Sequence, residues 1–341
     1  MKKNQLALIS IIKSFIQNHN LIKPGDRILL GVSGGPDSIA LAYILRELGG
    51  EFGYKINVGH INHQLRQGSD ADQRFVQSLC HHFGWSCNVI KLAKVNKSKI
   101  GSLEEYAREK RLQALIRIAK KQKATCIALA HHRDDQAETV LMRILRGTGL
   151  RGLQAMKPKR KIDGITFIRP FLKTPRADID RFLRQNKIAF RCDPTNHQKK
   201  FLRNRIRLEL MPILARYNPN IREVLANLAE NTLTDYEYIR YEGIKQFRKL
   251  RDPNGDPQSV RLKLADLRQL PQSLRRFVIL CSIETVQGST RRITSTHLQR
   301  VDHLIDHPIS NCVIHLPRSI RVVEKNAYLW IRSKSQKNRK T

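Results

Sequence analysis

Acidic residues are scarce in this sequence. Its 341 residues include 29 Asp or Glu against 63 Lys or Arg, which gives a formal net charge of +34 at pH 7. A charge of this size predicts a polyanionic partner, and nucleic acid is the first candidate. A protein with generic basic faces is the plainer alternative. An anionic membrane surface is less favoured because no long basic amphipathic helix stands out.

Paired cysteines and long apolar runs are also lacking. The six cysteines are scattered between Cys80 and Cys312, and none forms a C-x-x-C pair. This spacing disfavours a zinc site or a disulfide framework, so we expect free thiols in a reducing, cytoplasmic setting. No stretch reaches the roughly 18 apolar residues that a membrane-spanning helix needs.

The N-terminal stretch MKKNQLALISIIKSFI resembles a signal peptide only briefly. Lys13 interrupts its apolar part, and no small-residue cleavage site is apparent. Leu8, Ile11, Ile12 and Phe15 instead fit one face of an amphipathic helix. We therefore expect a helix here and no removable leader.

Strand-like and helix-like runs alternate through the first half. The strand-like runs are Arg27–Val32, Ile56–Ile61, Cys87–Leu92, Thr125–Ala130 and Ile165–Ile168. Helix-like stretches at 38–48, 69–83 and 102–120 separate the first four. The alternation predicts an α/β fold in which a parallel five-stranded, Rossmann-like sheet carries helices on both faces. Ligands of such sheets bind beyond the carboxyl ends of the strands.

The second half has a different pattern. Residues 141–210 are strongly basic, and a helical run with Ile221, Val224, Leu225 and Leu228 on one face follows them. Beyond the turn-rich Arg251–Pro257 we expect helices near 267–284 and 296–306 and strands at 312–316, 320–324 and 327–331.

These patterns predict four regions along the chain. We expect a catalytic domain at 1–215, a helical linker at 216–250, a small α+β domain at 251–331 and a disordered basic tail at 332–341.

The motif SGGPDS lies at residues 33–38, between an apolar strand and a helix. Gly34 and Gly35 let backbone amides approach an anion, Ser33 and Ser38 add hydroxyl groups, and the helix N-terminus favours negative charge. A Walker A loop is excluded because no Lys-Ser/Thr pair follows the glycines. Asp37 inside an anion cradle predicts a Mg²⁺ ion that bridges to phosphate. A simple tight turn is the alternative.

Histidines and arginines accompany the next two elements. In HINHQLR at 60–66, His60 and His63 could ligate a metal, but contacts of His60 and Arg66 with phosphate or ribose are favoured. Arg108 and Arg111 lie three residues apart on one face of a predicted helix, where a solvated charged surface is the alternative.

The stretch HHRDDQAETV at 131–140 follows the fourth strand and begins a helix. Asp135 and Glu138 are three residues apart, so their carboxylates share a face near the strand ends and suit a cation. An acidic first turn that only complements the helix dipole is the alternative. The chain continues into LRGTGLRGL at 145–153, which carries Arg146 and Arg151.

Three further motifs complete the series. They are RPFL at 169–172, DPTN at 193–196 and RNRIR at 203–207. In this order the motifs from SGGPDS to RNRIR resemble those of tRNA(Ile)-lysidine synthetases, which belong to the PP-loop ATP pyrophosphatases. HHRDDQAET with RGTGLRGL is the most family-specific part. The chain length resembles the short form of that family, and residues 251–331 resemble its small tRNA-recognition domain.

The resemblance implies an enzyme that ligates free L-lysine to the wobble cytidine of an isoleucine tRNA with a CAU anticodon. ATP with Mg²⁺ adenylates the base and releases pyrophosphate, and the lysine amine then displaces AMP to give lysidine. A homodimer is compatible with the sequence.

Roles for individual residues follow as hypotheses. ATP binding is assigned to Ser33, Gly34, Gly35, Pro36, Asp37, Ser38 and His60, with Asp37 as the Mg²⁺ ligand. The catalytic group adds Asp135 and Glu138, which hold lysine or position metal, and Arg108 and Arg111, which stabilise phosphate or orient the base. Contacts with RNA phosphate are assigned to Arg146, Arg151, Arg203, Arg205 and Arg207. Which carboxylate accepts the lysine proton stays open.

Other activities fit the sequence less well. A tRNA thiolase needs paired cysteines or an iron–sulfur site, and a glutamine-dependent amidating enzyme needs a glutaminase domain; the sequence indicates neither. A non-catalytic RNA-binding protein would not need Asp37, Asp135 and Glu138 together.

Overall fold

The computed structural model describes residues 3–64, 68–93, 103–192, 199, 201–252 and 258–333. The chain divides into two compact units, Met1–Leu233 and Thr234–Thr341. Arg66, the DPTN motif at 193–196, residues 253–257 of the predicted turn and most of the predicted tail lie outside the described residues. The division into catalytic domain, linker, recognition domain and tail stays a prediction.

A six-stranded sheet forms the centre of the first unit. Its strands are β1 (Arg27–Gly31), β2 (Lys55–Asn62), β3 (Ser86–Lys91), β4 (Cys126–Ala128), β5 (Lys159–Ile162) and β6 (Ile165–Ile168). In the order β3-β2-β1-β4-β6-β5 the first five strands are parallel, and β5 pairs antiparallel with β6. The predicted five-stranded parallel sheet is confirmed, with one antiparallel strand added.

The added strand β5 is not indicated by the sequence pattern. It reads KRKI, its first three residues are exposed, and it lies at the edge of the sheet. Charged side chains on an edge strand discourage pairing with other chains. They also remove the apolar alternation by which strands are found in a sequence.

Ten α-helices lie among the described residues of this unit, and the last of them continues into the second unit. They are α1 (Lys3–Asn18), α2 (Pro36–Phe52), α3 (Ser69–Phe83), α4 (Leu103–Lys121), α5 (Arg133–Ile144), α6 (Leu150–Leu153), α7 (Arg176–Gln185), α8 (Leu202–Arg205), α9 (Met211–Tyr217) and α10 (Ile221–Leu250). A π-helical turn at Ile206–Leu210 joins α8 to α9. The helices predicted at 38–48, 69–83 and 102–120 are present as α2, α3 and α4.

Helices cover both faces of the sheet, as predicted. Ile28 and Leu30 of β1 pack in one apolar cluster with α1, α2 and α7, whereas Leu29 packs in another with α4. Alternate residues of a strand point to opposite faces, so both faces of β1 are buried. The predicted apolar face of α1 is partly wrong, because Ile11 is exposed.

The strand order places a crevice beside β1. Strand β1 lies between β2 and β4, so the order reverses at this point. The loops that follow β1 and β4 therefore leave the sheet on either side of a switch point, where α/β sheets bind ligands. SGGPDS follows β1, and HHRDDQAET follows β4.

The second unit is built on a four-stranded antiparallel sheet. Its strands are β7 (Ser259–Lys263), β8 (Val313–Leu316), β9 (Ile320–Lys325) and β10 (Tyr328–Ser333), in the order β7-β10-β9-β8. Helices α11 (Leu264–Gln269), α12 (Gln272–Gln287) and α13 (Ser295–Asp306) accompany them. The small α+β arrangement of this region agrees with the sequence pattern.

The helix predicted near 267–284 is two helices in the structure. Pro271 precedes α12, and Leu270 takes an extended backbone with ψ 140°. Proline has no amide hydrogen to continue a helix, and it pushes the residue before it out of the helical region. The sequence pattern therefore predicted one helix where the proline separates two.

The boundary between the two units falls within α10. Of its predicted apolar face, Leu225 is buried, but Val224 is 47% and Leu228 39% exposed. That face is therefore narrower than its spacing predicted.

All six cysteines are free thiols. None of the helices in the described ranges is long and apolar enough to cross a membrane.

Candidate active site

The two serines of the loop after β1 form hydrogen bonds within the loop. The Ser38 hydroxyl donates to Gly35 O at 2.9 Å and accepts from Ser33 N at 3.2 Å, while Ser33 Oγ accepts from Gly35 N at 3.3 Å. Gly34 has φ +89°, a conformation that side chains disfavour. Helix α2 then begins at Pro36 with no side-chain cap. Its first amides can therefore serve an anion.

Arg191 fixes the loop from a distant part of the chain. Its backbone amide donates to Gly34 O at 2.9 Å, and its Nε donates to Asp72 Oδ1 of α3 at 3.2 Å. The Asp72 side chain is nearly buried. The loop conformation thus depends on α3 and on the segment that follows α7.

Asp37 projects from the first turn of α2 toward two cationic or polar groups. Its Oδ2 accepts from Arg176 Nη1 at 2.7 Å, and its Oδ1 lies 3.8 Å from His132 Nε2. Desolvation raises the pKa of Asp37, although His132 and Arg176 oppose this effect. Arg176 also donates to Asp180 Oδ1 at 3.0 Å, so its guanidinium is fixed between two carboxylates.

One oxygen of Asp37 fits a metal ligand. Asp37 Oδ1 is buried and has no hydrogen-bond partner in the described part of the chain. Mg²⁺ is commonly held by one or two carboxylates together with phosphate oxygens. No group of three or more His, Cys, Asp or Glu that could bind a metal occurs among the described residues. The site therefore fits an ion that arrives with a phosphate ligand.

His132 connects the two loops. It is the N-cap of α5: its Nδ1 accepts from Asp135 N at 3.4 Å, and its backbone amide donates to Asp135 Oδ2 at 3.1 Å. Because Nδ1 accepts, the proton that faces the carboxylates is on Nε2, which lies 3.4 Å from Asp135 Oδ2 and 3.8 Å from Asp37 Oδ1. The structure thus brings together the two motifs that the sequence singled out.

The carboxylates of Asp135 and Glu138 lie side by side and share two arginines. Arg203 donates from Nη2 to Asp135 Oδ1 and from Nε to Glu138 Oε2, both at 2.8 Å. Arg207 donates from Nε to Glu138 Oε1 at 2.6 Å and from Nη2 to Asp135 Oδ1 at 3.2 Å. In this structure the two arginines act as counter-ions, and their predicted contact with RNA stays a prediction.

Asp135 is kept ionised by its surroundings. Burial opposes its charge, but His132, Arg203, His131 and Arg207 together hold its pKa well below the usual range. The pKa of neighbouring His131 is also well below its ordinary value, chiefly because of burial, and its Nδ1 has no partner among the described residues. A charged carboxylate and a neutral imidazole therefore stand next to each other.

His60 is buried behind the loop. Its Nδ1 donates to Val32 O at 2.9 Å, its Nε2 has no partner within the described ranges, and burial lowers its pKa. The neutral ring fixes the residue that precedes Ser33. Its predicted contact with nucleotide remains a prediction.

The remaining predicted residues differ in how near they lie to this site. Arg111 lies near Asp135; desolvation, Arg108 and Arg203 lower its pKa, and Asp135 opposes them. Arg146, Arg151 and Arg205 are exposed. Arg205 Nε lies 3.7 Å from Glu209 Oε2. All four of these arginines are exposed, and the charge of Asp135 affects the pKa of Arg111.

Sequence reasoning missed four residues of this site. His131 and His132 lie in the motif at 131–140, but only Asp135 and Glu138 of that motif were predicted as site residues. Arg176 and Arg191 meet residues 139 and 119 positions away, Asp37 and Asp72. No local pattern in one sequence indicates contacts over such separations.

The comparisons with known proteins agree with this geometry. Residues 5–214 match the family described as a PP-loop domain. The tRNA(Ile)-lysidine synthase of Clostridioides difficile (strain 630) is 35% identical over 92% of this chain and 68% of its own length. That of Geobacter sulfurreducens is 36% identical over 93% of this chain and 67% of its own length.

A solved structure shares the fold. The U34-tRNA thiolase NcsA of Methanococcus maripaludis superimposes with a TM-score of 0.56 at 18% identity, over 66% of this chain and 78% of that one. Sheet, switch point and loop thus define a PP-loop protein that binds ATP. The identity to the curated relatives goes further, and the chain belongs to the tRNA(Ile)-lysidine synthase family.

Proposed function

We propose that this protein ligates free L-lysine to the wobble cytidine of an isoleucine tRNA with a CAU anticodon, using ATP. The observation that carries this proposal is the meeting of two loops at the switch point, where His132 lies between Asp37 and Asp135. One loop suits ATP phosphates, and the other offers two carboxylates for an amine. Membership of the family supports the choice of substrates.

The first step adenylates the base. The 2-oxo oxygen of cytidine attacks the α-phosphorus, an O–P bond forms, and pyrophosphate leaves with the electrons of the broken bond. The amides at the start of α2 would orient the phosphates. Arg176 holds Asp37 so that Oδ1 faces the same space. Mg²⁺ on Asp37 would neutralise charge on the phosphates as pyrophosphate departs.

The second step forms the carbon–nitrogen bond. The ε-amine of lysine attacks C2 of the adenylated base, and AMP leaves with the former 2-oxo oxygen. The amine has an ordinary pKa of about 10.4, so making it neutral at pH 7 costs about 4.6 kcal/mol. A group in the site must therefore accept its proton as the attack proceeds.

We assign the holding and the deprotonation of lysine to different groups. Asp135 has a depressed pKa, which suits it to hold the lysine ammonium. Nδ1 of His131 is the proton acceptor that we assign, because it is buried and has no hydrogen-bond partner among the described residues. Binding of RNA by Arg203 and Arg207 would release both carboxylates toward the ammonium, so their two roles would alternate.

The remaining assignments complete the proposal. Arg111 would orient the adenylated base beside Asp135, and exposed Arg146, Arg151 and Arg205 would contact RNA phosphates. The C-terminal residues 251–331 would select the tRNA. Deletion of this region would then weaken tRNA selection more than ATP binding.

The test is incorporation of labelled lysine into an isoleucine tRNA transcript that bears CAU, in the presence of ATP. We expect labelled tRNA with the wild type and a loss of about 100-fold or more with Asp37→Asn, because the carboxylate that would hold Mg²⁺ beside the phosphates is removed. Asp163→Asn is the matched control, since this exposed carboxylate lies in the turn between β5 and β6. Absence of label with the wild type would contradict the proposal.

A further inference from the structure

Four arginines of the first unit lie on elements beside the proposed active site. They come from four elements and are called here the arginine cluster: Arg108 of α4, Arg143 of α5, Arg160 of β5 and Arg169 just after β6. None of them has a role in the function proposed above, and only Arg108 was assigned a role from the sequence.

The hairpin of β5 and β6 places two of them on one face. Arg160 lies opposite Phe167 in the register, and Arg169 N donates to Pro158 O at 3.0 Å, which continues the pairing. Residues opposite each other share a face, as do residues two apart on one strand. Phe167 packs in the apolar cluster with α4. Arg160 and Arg169 therefore lie on the face that α4 covers, and α4 carries Arg108.

Three members of the cluster lack compensating charge in the described part of the chain. Arg169 Nη1 donates to Lys157 O at 2.8 Å, and Arg143 Nη1 donates to Gly152 O, so both bind carbonyl groups. Within the described residues, no carboxylate lies within ion-pair distance of Arg143, Arg160 or Arg169. Desolvation first, and then Arg108 and Arg160, lower the pKa of both Arg143 and Arg169.

Arg169 is the centre of this arrangement. It is only 6% exposed, and its Nε has no hydrogen-bond partner in the described part of the chain. A buried guanidinium with an unused donor and positive neighbours is costly unless an anion accepts from it. Arginine presents a planar fork of donors that matches the oxygens of a phosphate.

The cluster is continuous with the proposed reaction centre. Arg111 lies three residues after Arg108 on α4, and Arg108, Arg203 and Asp135 all affect its pKa. Arg143 binds the carbonyl of Gly152, so the cluster also adjoins the glycine-rich segment that bears exposed Arg146 and Arg151. The cluster, Arg111 and this segment thus supply several cations, as a strand bearing a phosphate at each nucleotide requires.

We propose that Arg108, Arg143, Arg160 and Arg169 form a phosphate site that holds the RNA backbone next to the target nucleotide. This inference rests on the proposed function for the identity of the polyanion. The same chemistry would serve the phosphates of ATP, so the experiment measures both ligands.

Arg160→Ala and Lys161→Ala are the matched variants. Both residues are exposed neighbours on β5, but their side chains point to opposite faces of the strand. Each variant removes one positive charge, so a general charge effect changes both alike. Binding of an isoleucine tRNA transcript is measured at several salt concentrations, and ATP binding is measured separately.

We expect Arg160→Ala to weaken tRNA binding about ten-fold and to reduce the log–log salt slope by about one. Lys161→Ala should leave both quantities near the wild-type values, and both variants should bind ATP normally. Arg169→Lys keeps the charge but loses the planar fork, so it should also weaken tRNA binding and retain ATP binding.

Three results would overturn the inference. Equal losses in Arg160→Ala and Lys161→Ala would reduce the effect to general charge. A loss of ATP binding with normal tRNA binding would assign the cluster to the nucleotide. Unchanged binding of both ligands would remove the site. Failure of the wild type to bind tRNA or to incorporate lysine would instead refute the proposed function.

Discussion

Two groups of arginines in the first unit have opposite surroundings. Arg203 and Arg207 bind the carboxylates of Asp135 and Glu138 through charge-assisted hydrogen bonds. Arg143 and Arg169 bind backbone carbonyls and face further arginines. The charges of the first group are neutralised in this structure, whereas the second group has no carboxylate partner among the described residues. The residue type alone does not distinguish the two; the neighbours do.

The largest effect on stability is expected at Glu138, which pairs with Arg203 and Arg207. Glu138→Ala removes the acceptor of Arg203 Nε and Arg207 Nε and leaves two guanidiniums without it. Removal of one partner of a buried ion pair commonly costs about 3–5 kcal/mol, and partial exposure of Arg207 places this case at about 3 kcal/mol. Denaturant unfolding of Glu138→Ala and isosteric Glu138→Gln measures this free energy.

A loss under about 1 kcal/mol in Glu138→Ala would contradict this account. The carboxylate would then contribute no more than a surface charge, and the two arginine groups would not differ in the way described.

The next largest effect is a pH dependence of stability that comes from Asp135, the other carboxylate bound by Arg203 and Arg207. The pKa of Asp135 is lower in the folded protein than the unfolded value of about 3.9. Its contribution to stability is therefore present above that value and is lost as the pH falls below about 4 toward the folded pKa. Unfolding free energies of the wild type and Asp135→Asn between pH 7 and pH 3 measure this contribution.

The variant should show a shallower fall of stability over the acidic range than the wild type. Parallel curves would show that Asp135 binds its proton equally well in the folded and unfolded chains, which the four cationic or polar neighbours of its carboxylate should prevent.

The smallest effect is expected in the arginine cluster. Arg160→Ala removes a like charge from the vicinity of Arg143 and Arg169, and Arg160 has no ion pair to lose among the described residues. We expect the free energy of unfolding to stay within about 0.5 kcal/mol of the wild type or to rise. A clear loss of stability, measured in the same denaturant series, would mean that Arg160 has a structural role like that of Arg203.

The sequence predicted the parts of the site that are local. The 33–38 loop lies within one turn between strand and helix, and Asp135 and Glu138 lie on one face of α5, so spacing alone was enough. The alternation of strands also predicted the parallel sheet. Charged β5 and the break at Pro271 were missed because each contradicts the simple periodic pattern.

Contacts between residues far apart in the sequence could not be predicted, because no local pattern indicates them. Arg203 and Arg207 were read as RNA ligands because their motif is basic, and only the fold shows that two carboxylates 65 to 72 positions earlier accept from them. Arg169 likewise reads as part of a short motif. Its burial and its unused Nε depend on α4 and β5 packing around it.

The most direct test of the central claim follows the 2-oxo oxygen of the wobble cytidine. An isoleucine tRNA transcript is labelled with ¹⁸O at that position and incubated with the protein, ATP and lysine, and the released AMP is examined by mass spectrometry. We expect the AMP to carry the label, because the adenylated oxygen leaves with the phosphate when lysine attacks C2. Unlabelled AMP accompanied by lysidine formation would contradict it.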